Sequence, residues 1–297
     1  MRIGFIGAGL MGHGMVLGLL KGGHSVFVTA HRNRSAIDDL VIKGAVELPD
    51  PRAIANGTDC IILCLPNSQI VYATLEVIEC VLRRGQILVD TGTSEPDSTR
   101  KIARRLKARG LVYVDAPLTG GPEQAARSEL GVLCGASLED FDAVSPILSC
   151  FASTIRHMGP VGTGHTAKLI SNYLVIGMVA LVSEAFATAN SAGIDWRKLY
   201  EVMLNGSGNS GVLRKMVEPA LDGDFDGYKF SLANAAKDMG YFQHLNKTHG
   251  NSPNLANAVE QIFLRVMQDG RGAQNVSQLL NLREPQSYRT DHDENST

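Results

Sequence analysis

Met1-Arg-Ile-Gly-Phe-Ile-Gly-Ala-Gly-Leu-Met-Gly12 opens the chain, and the residues that follow, Gly14 to Lys21, suit a helix. A short apolar run thus stands directly before Gly7-x-Gly9-x-x-Gly12, a pattern that predicts strand, tight turn and helix. In that context each glycine has a physical task. Gly7 permits the turn, Gly9 lets the backbone approach a pyrophosphate, and Gly12 lets the helix pack closely on the strand. The helix N-terminus adds N–H groups and the positive end of a dipole. Gly7, Ala8, Gly9, Leu10, Met11 and Gly12 therefore form the candidate phosphate cradle of a dinucleotide. A glycine-rich turn without a ligand is the competing reading, and the flanking strand and helix weigh against it.

Working outward, Gly23-His-Ser-Val-Phe-Val-Thr-Ala30 reads as a turn and a second strand. About 20 residues beyond the glycines, an NAD site places an acid for the ribose 2′-hydroxyl. Here stand His31-Arg32-Asn33-Arg34-Ser35, and the first carboxylate after the motif is Asp38, inside the next helical stretch. Guanidinium and hydroxyl groups suit a 2′-phosphate, which Arg can hold bidentately. NADP is therefore favoured over NAD, with His31, Arg32 and Asn33 as candidate contacts. Arg34 reads equally well as a solvated charge.

To about residue 160 the chain repeats strand, polar turn and helix. Ile61-Ile-Leu-Cys-Leu65, Ile87-Leu-Val-Asp90 and Val112-Tyr-Val114 are β-rich runs between helical stretches. This alternation predicts a Rossmann-type, doubly wound parallel sheet, in which ligands sit beyond the carboxyl ends of the strands. Leu65-Pro66, Thr91-Gly-Thr93 and Pro117-Leu-Thr-Gly-Gly121 fall on that edge. After Gly164 the texture becomes helical, beginning with a long run that is apolar nearly all round and is expected to be buried on every side. The expected organisation is an α/β dinucleotide-binding domain over 1–163, an all-α domain over 164–283 joined by a long interdomain helix, and a polar tail over 284–297.

Composition narrows the function. The 297 residues are 44% hydrophobic and carry a formal net charge of −2, which argues against a nucleic-acid surface. Small solutes are the expected partners. Cys60, Cys64, Cys80, Cys134 and Cys150 lack metal-ligand spacing and read as buried reduced thiols, and no metal site is expected. A strand at residue 2 or 3 leaves no room for a leader, and Leu174 to Val182 is shorter than a spanning segment, so a cytoplasmic protein off the membrane is expected. The apolar helix hints at a homodimer or homotetramer.

Reducing a carbonyl builds negative charge on oxygen, which a lysine or histidine beside the nicotinamide can protonate or stabilise. In Gly162-Thr-Gly-His-Thr-Ala-Lys168-Leu-Ile-Ser-Asn172, Lys168 and Asn172 lie four apart and share a helix face. Desolvation favours the neutral amine and makes a lysine there a better proton donor or acceptor near neutrality. A snorkelling lysine is the alternative. His165 competes as an acid, but no carboxylate stands near it in sequence to orient it, so it reads as a helix-start or cofactor neighbour.

Together these motifs resemble the β-hydroxyacid dehydrogenases, the group of 3-hydroxyisobutyrate dehydrogenase, tartronate semialdehyde reductase and glyoxylate/succinic semialdehyde reductase, over about residues 2 to 283. Gly7-x-Gly9-x-Met11-Gly12 is similar to the cofactor fingerprint, and Asp115-Ala-Pro-Leu-Thr119-Gly120-Gly121 to the substrate segment. Asp90-Thr-Gly92-Thr93-x-x-Pro96 resembles the stretch whose threonine touches the nicotinamide side. Gly162-x-Gly164-x-x-x-Lys168-x-x-x-Asn172 resembles the catalytic motif, and Phe230-x-Leu232-x-x-x-x-Lys237-Asp238 the later Lys-Asp element. The resemblance implies Lys168 as general acid/base with Asn172 beside it, and Lys237 and Thr93 on the cofactor. It further implies Thr119, Gly120, Gly121, Lys168 and Asn172 around a small carboxylated aldehyde or hydroxy acid. Backbone N–H groups at Thr119 to Gly121 can receive that carboxylate. Pro122-Glu123-Gln124 and Arg127-Ser128-Glu129 depart from the family's small residues and are expected to face solvent. An imine reductase of the same architecture, or a non-catalytic NADP-binding protein, would lack the intact lysine or the Thr-Gly-Gly segment.

Overall fold

The computed structural model describes residues 1–30 and 34–281 and divides into two compact units, Met1–Lys168 and Leu169–Thr297. His31, Arg32, Asn33 and the tail expected over 284–297 lie outside the described residues.

The first unit runs β1 (Arg2–Ile6), α1 (Leu10–Lys21), β2 (Ser25–Val28), α2 (Arg34–Ile42), β3 (Val46–Glu47), α3 (Pro51–Gly57), β4 (Cys60–Leu63) and α4 (Ser68–Ile78). It continues through β5 (Ile87–Asp90), α5 (Pro96–Lys107), β6 (Val112–Asp115), β7 (Leu118–Thr119), α6 (Pro122–Ala126), β8 (Leu130–Gly135), α7 (Leu138–Leu148) and β9 (Ala152–Gly159). The sheet order is β3-β2-β1-β4-β5-β6-β8-β7, with β9 against β8. Strands β1 to β6 are parallel, as expected of a doubly wound sheet.

The far edge departs from that expectation, since β8 runs antiparallel to β6 and β7. A parallel return needs a crossover of a dozen or more residues, and the segment between Thr119 and Leu130 is too short for one.

Side chains alternate across the central strands. Ile3, Phe5, Cys60 and Ile62 join Met15, Val16 and Leu19 of α1 in one core, while Ile6, Ile61 and Leu63 join Ile54, Val71 and Ile102 in the other. Both faces are thereby covered, which is why these strands read as continuous apolar runs. On α1, a Cβ at Gly14 would stand 2.6 Å from the backbone of Ala125, so α1 and α6 meet main chain to helix.

Among the cysteines, Cys60 and Cys134 are buried, Cys64 and Cys150 half-buried and Cys80 exposed, which corrects the expectation of five buried thiols. Burial pushes the Cys60 and Cys134 thiols up to about 12.

From the first unit α8 (Thr163–Ser191) continues into the second, followed by α9 (Trp196–Asn205), α10 (Gly211–Ala220), α11 (Leu232–Thr248) and α12 (Asn254–Gln268). Asp195, Ser210 and Ser231 cap α9, α10 and α11 by accepting the N–H groups of Lys198, Leu213 and Asn234. The core gathers Leu169, Ile176, Phe186, Met216, Met239 and Phe263.

The expectation that α8 is buried all round fails. Ile170, Leu174 and Leu181 are 54%, 64% and 58% exposed, because the helices of its own unit cover only the opposite face. By length and composition α8 is also the one helix among the described residues long and apolar enough to cross a membrane, a test that the core helix of a globular protein passes equally.

Candidate active site

The turn after β1 has the geometry a pyrophosphate needs. Gly7 sits at φ +107°, and a Cβ there would meet the Cys64 carbonyl. A Cβ on Gly12 would meet the Gly7 carbonyl and the Phe5 ring, so only glycine lets α1 start this close to the strand. Gly9 has nothing within 4 Å of its Cβ position, which leaves the approach to the first turn of α1 open. The N–H groups of Leu10, Met11 and Gly12 have no intrahelical acceptor there. β1 lies between β2 and β4, where the strand order reverses, and this is the crevice in which such sheets hold ligands.

Arg34 opens α2 but is engaged by carboxylates. It donates to both Glu47 oxygens at 2.6 and 2.8 Å and to Asp38 at 2.8 Å. His13 of α1 meets Asp39 of α2 at 2.7 Å, and Lys43 and His13 together hold the Asp39 carboxyl below its ordinary range.

The carboxyl ends of β4, β5 and β6 form the next wall. Leu65 and Pro66 follow β4, and Asn67 caps α4 by accepting the Ile70 N–H at 2.9 Å. Ser68 accepts the Glu95 N–H at 2.7 Å, which ties this turn to the turn after β5 that carries Thr93. At the end of β7, Thr119 and Gly121 are half-buried and Gly120 is exposed. The Gly121 N–H does not point free: it donates to Gln124 Oε1 at 2.9 Å, so the N3 side chain of α6 reaches back to the N-cap amide. Arg127 and Glu129 pair with each other at 2.7 Å, both more than half exposed.

β5 and β6 end on Asp90 and Asp115, direct neighbours in the parallel register and both fully buried. Asp115 accepts the Gly162 N–H at 2.6 Å and the His165 N–H at 2.8 Å, so a strand-end carboxylate caps the start of α8. Burial raises the Asp115 pKa, while His165 and these two N–H groups oppose the rise. His165 is fully buried with Nε2 3.8 Å from Asp90 and Nδ1 3.8 Å from Asp115. Sequence distance concealed this, as the two carboxylates precede His165 by 75 and 50 residues. The legible signal was the repeated Val-Asp at two strand ends. Lys168 follows one turn later and is half-buried.

In the second unit Asn172 is buried, and its Nδ2 donates to Asp238 Oδ2 at 2.6 Å. Lys237 stands 3.1 Å from the other Asp238 oxygen. Asp238 therefore orients the Asn172 amide and anchors Lys237, a link that the spacing of the two motifs did not show.

Comparisons bear on the family and the fold. A family model of the NAD binding domain of 6-phosphogluconate dehydrogenase matches residues 2–159. A second, for the NAD-binding part of NADP-dependent 3-hydroxyisobutyrate dehydrogenase, matches residues 162–283. The chain is 32% identical to 2-(hydroxymethyl)glutarate dehydrogenase of Eubacterium barkeri over 286 residues, 94% of this chain and 93% of the relative. The crystal structure of a 3-hydroxyisobutyrate dehydrogenase from Salmonella typhimurium aligns with TM-score 0.85 and 26% identity over 95% of this chain and 99% of that one. An imine reductase from Myxococcus stipitatus shares the fold at TM-score 0.63 and 20% identity, over 95% and 99% of the two chains.

Proposed function

The chain belongs to the β-hydroxyacid dehydrogenase family and is an NAD(P)-dependent 3-hydroxyacid dehydrogenase, and from that premise we propose that it uses NADP to interconvert a small 3-hydroxy acid and its semialdehyde, or to reduce a glyoxylate-like carboxylated aldehyde, with Lys168 as general acid/base. The observation that carries this reading is the start of α8, where Asp115 caps the helix and Lys168 follows one turn on.

When bound, the reduced nicotinamide supplies a hydride. The residues do the rest. Gly7 to Gly12 and the first turn of α1 receive the phosphates, Leu65, Pro66 and Thr93 line the nicotinamide side, and Lys237 serves the cofactor from the helical unit. His31, Arg32 and Asn33 receive the 2′-phosphate. Arg34, already held by Glu47 and Asp38, does not. The substrate carboxylate rests on the Thr119–Gly120–Gly121 segment, and Lys168 gives its proton to the carbonyl oxygen as negative charge develops there. In the reverse direction it accepts the hydroxyl proton. Asn172, one turn further along α8 with its amide set by Asp238, completes the substrate end. The exposed stripe of Ile170, Leu174 and Leu181 supports a homodimer or homotetramer.

The direct test follows NADPH and NADH oxidation by the purified protein against a panel of carboxylated aldehydes and cyclic imines. Turnover of the aldehydes with NADPH is expected, and Lys168→Ala should lower it by about 10²- to 10⁴-fold while NADPH still binds. Imine turnover alone, or a Lys168→Ala rate within about threefold of wild type, removes this mechanism.

A further inference from the structure

His165 is a buried titratable side chain that the mechanism above does not use, and its surroundings are specific. Thr99 of α5 hydrogen-bonds His165 Nδ1 through its hydroxyl at 2.8 Å, and the same hydroxyl lies 3.1 Å from the Glu95 carbonyl. Nε2 is buried without a hydrogen-bond partner and faces Asp90 at 3.8 Å. Asp90 in turn accepts the Gly92 N–H at 3.0 Å, the Ser94 hydroxyl at 3.0 Å and the Tyr113 hydroxyl at 3.1 Å. On its other side the ring stands 3.8 Å from Asp115, whose carboxylate already holds the His165 N–H.

One imidazole thus joins the end of β5, the end of β6, α5 and the first turn of α8. A ring that served packing alone would be matched by an apolar side chain with no orphaned nitrogen. The turn that follows Asp90 carries Thr93, and the turn of α8 after His165 carries Lys168. Three residues along a helix advance about 300° and about 4.5 Å, so fixing His165 fixes where Lys168 leaves the axis.

We propose that His165 is a positioning residue: through Thr99, Asp90 and Asp115 it sets the azimuth of the first turn of α8, and with it the point from which Lys168 delivers its proton. This rests on Lys168 as the general acid/base. A displacement of Lys168 of about 1 Å costs up to about 100-fold in rate without touching the phosphate cradle or the carboxylate seat.

The test uses the full-length protein. His165→Leu should bind NADPH as wild type does and keep KM for the acid substrate within about threefold, while kcat falls about 10- to 100-fold. The solvent deuterium isotope effect on kcat should rise, because proton delivery slows while hydride transfer does not. His165→Asn keeps a side chain that can donate to or accept from Thr99 and should recover most of the rate. Thr99→Val, which removes the contacts to His165 and to the Glu95 carbonyl with little change of shape, should lower kcat in the same direction, and joining it to His165→Leu should add little. If His165→Leu does not fold, Thr99→Val decides by the same readings. A kcat within about twofold of wild type, an unchanged solvent isotope effect, or parallel losses in NADPH binding and kcat overturns the proposal. Wild-type turnover by Lys168→Ala breaks the underlying reading instead. A slow Lys168→Ala beside a fast His165→Leu breaks this inference alone.

Discussion

Gln124 Oε1 takes the Gly121 N–H, so a substrate carboxylate reaching that N–H must displace a hydrogen bond of about 1 kcal/mol. Gln124→Ala should therefore lower KM for the carboxylated substrate by about fivefold and leave NADPH affinity unchanged. Steady-state kinetics beside a fluorescence titration checks this, and an unchanged KM would take the Gly121 N–H out of substrate binding. The occupied N–H was not readable from sequence, because the reach of Gln124 back to Gly121 depends on a rotamer rather than on a spacing alone. The glycines after β1 were readable, since Gly7 and Gly12 answer to backbone sterics that admit one residue type. His165 lies at the other extreme. Its partners come from β5, α5 and β6, 50 or more residues earlier in the chain, and nothing local to Gly164-His165-Thr166 announces them.

Strands β1, β4, β5 and β6 were legible as apolar runs because helices cover both their faces. The two-residue β7 was not, as a period of two cannot be detected over two residues. α8 was legible as a long apolar helix, but composition could not say which of its faces its own unit would leave open. That open stripe gives an expectation for assembly. Leu174→Glu with Leu181→Glu places charge on it without touching Ile176, Val179 or Phe186 in the core. Analytical ultracentrifugation should show a smaller species of undiminished helicity; an unchanged mass would move the subunit interface elsewhere on the molecule.

Each unit has its own core. In the first, burial, helped by the nearby N-terminal charge, lowers the His24 pKa below its ordinary 6.5, and His24 Nδ1 is buried without a partner. The folded state thus resists protonation here, and the stability involved is present above pH 6.5 and lost as pH falls through that value. Thermal midpoints at pH 7.5 and 5.5 should differ less for His24→Gln than for wild type; equal differences would show that His24 ionises alike folded and unfolded. A last consequence concerns kinetic order. α1, whose N-terminus carries the proposed phosphate cradle, lies main chain to main chain on α6 at Gly14 and Ala125, and α6 begins at the residue after Gly121. No side chain stands between them to absorb a shift, so the expected order of turnover has the dinucleotide binding first and leaving last. NADP should inhibit competitively against NADPH and the hydroxy acid non-competitively; competitive inhibition by both would mean that the two ligands load independently.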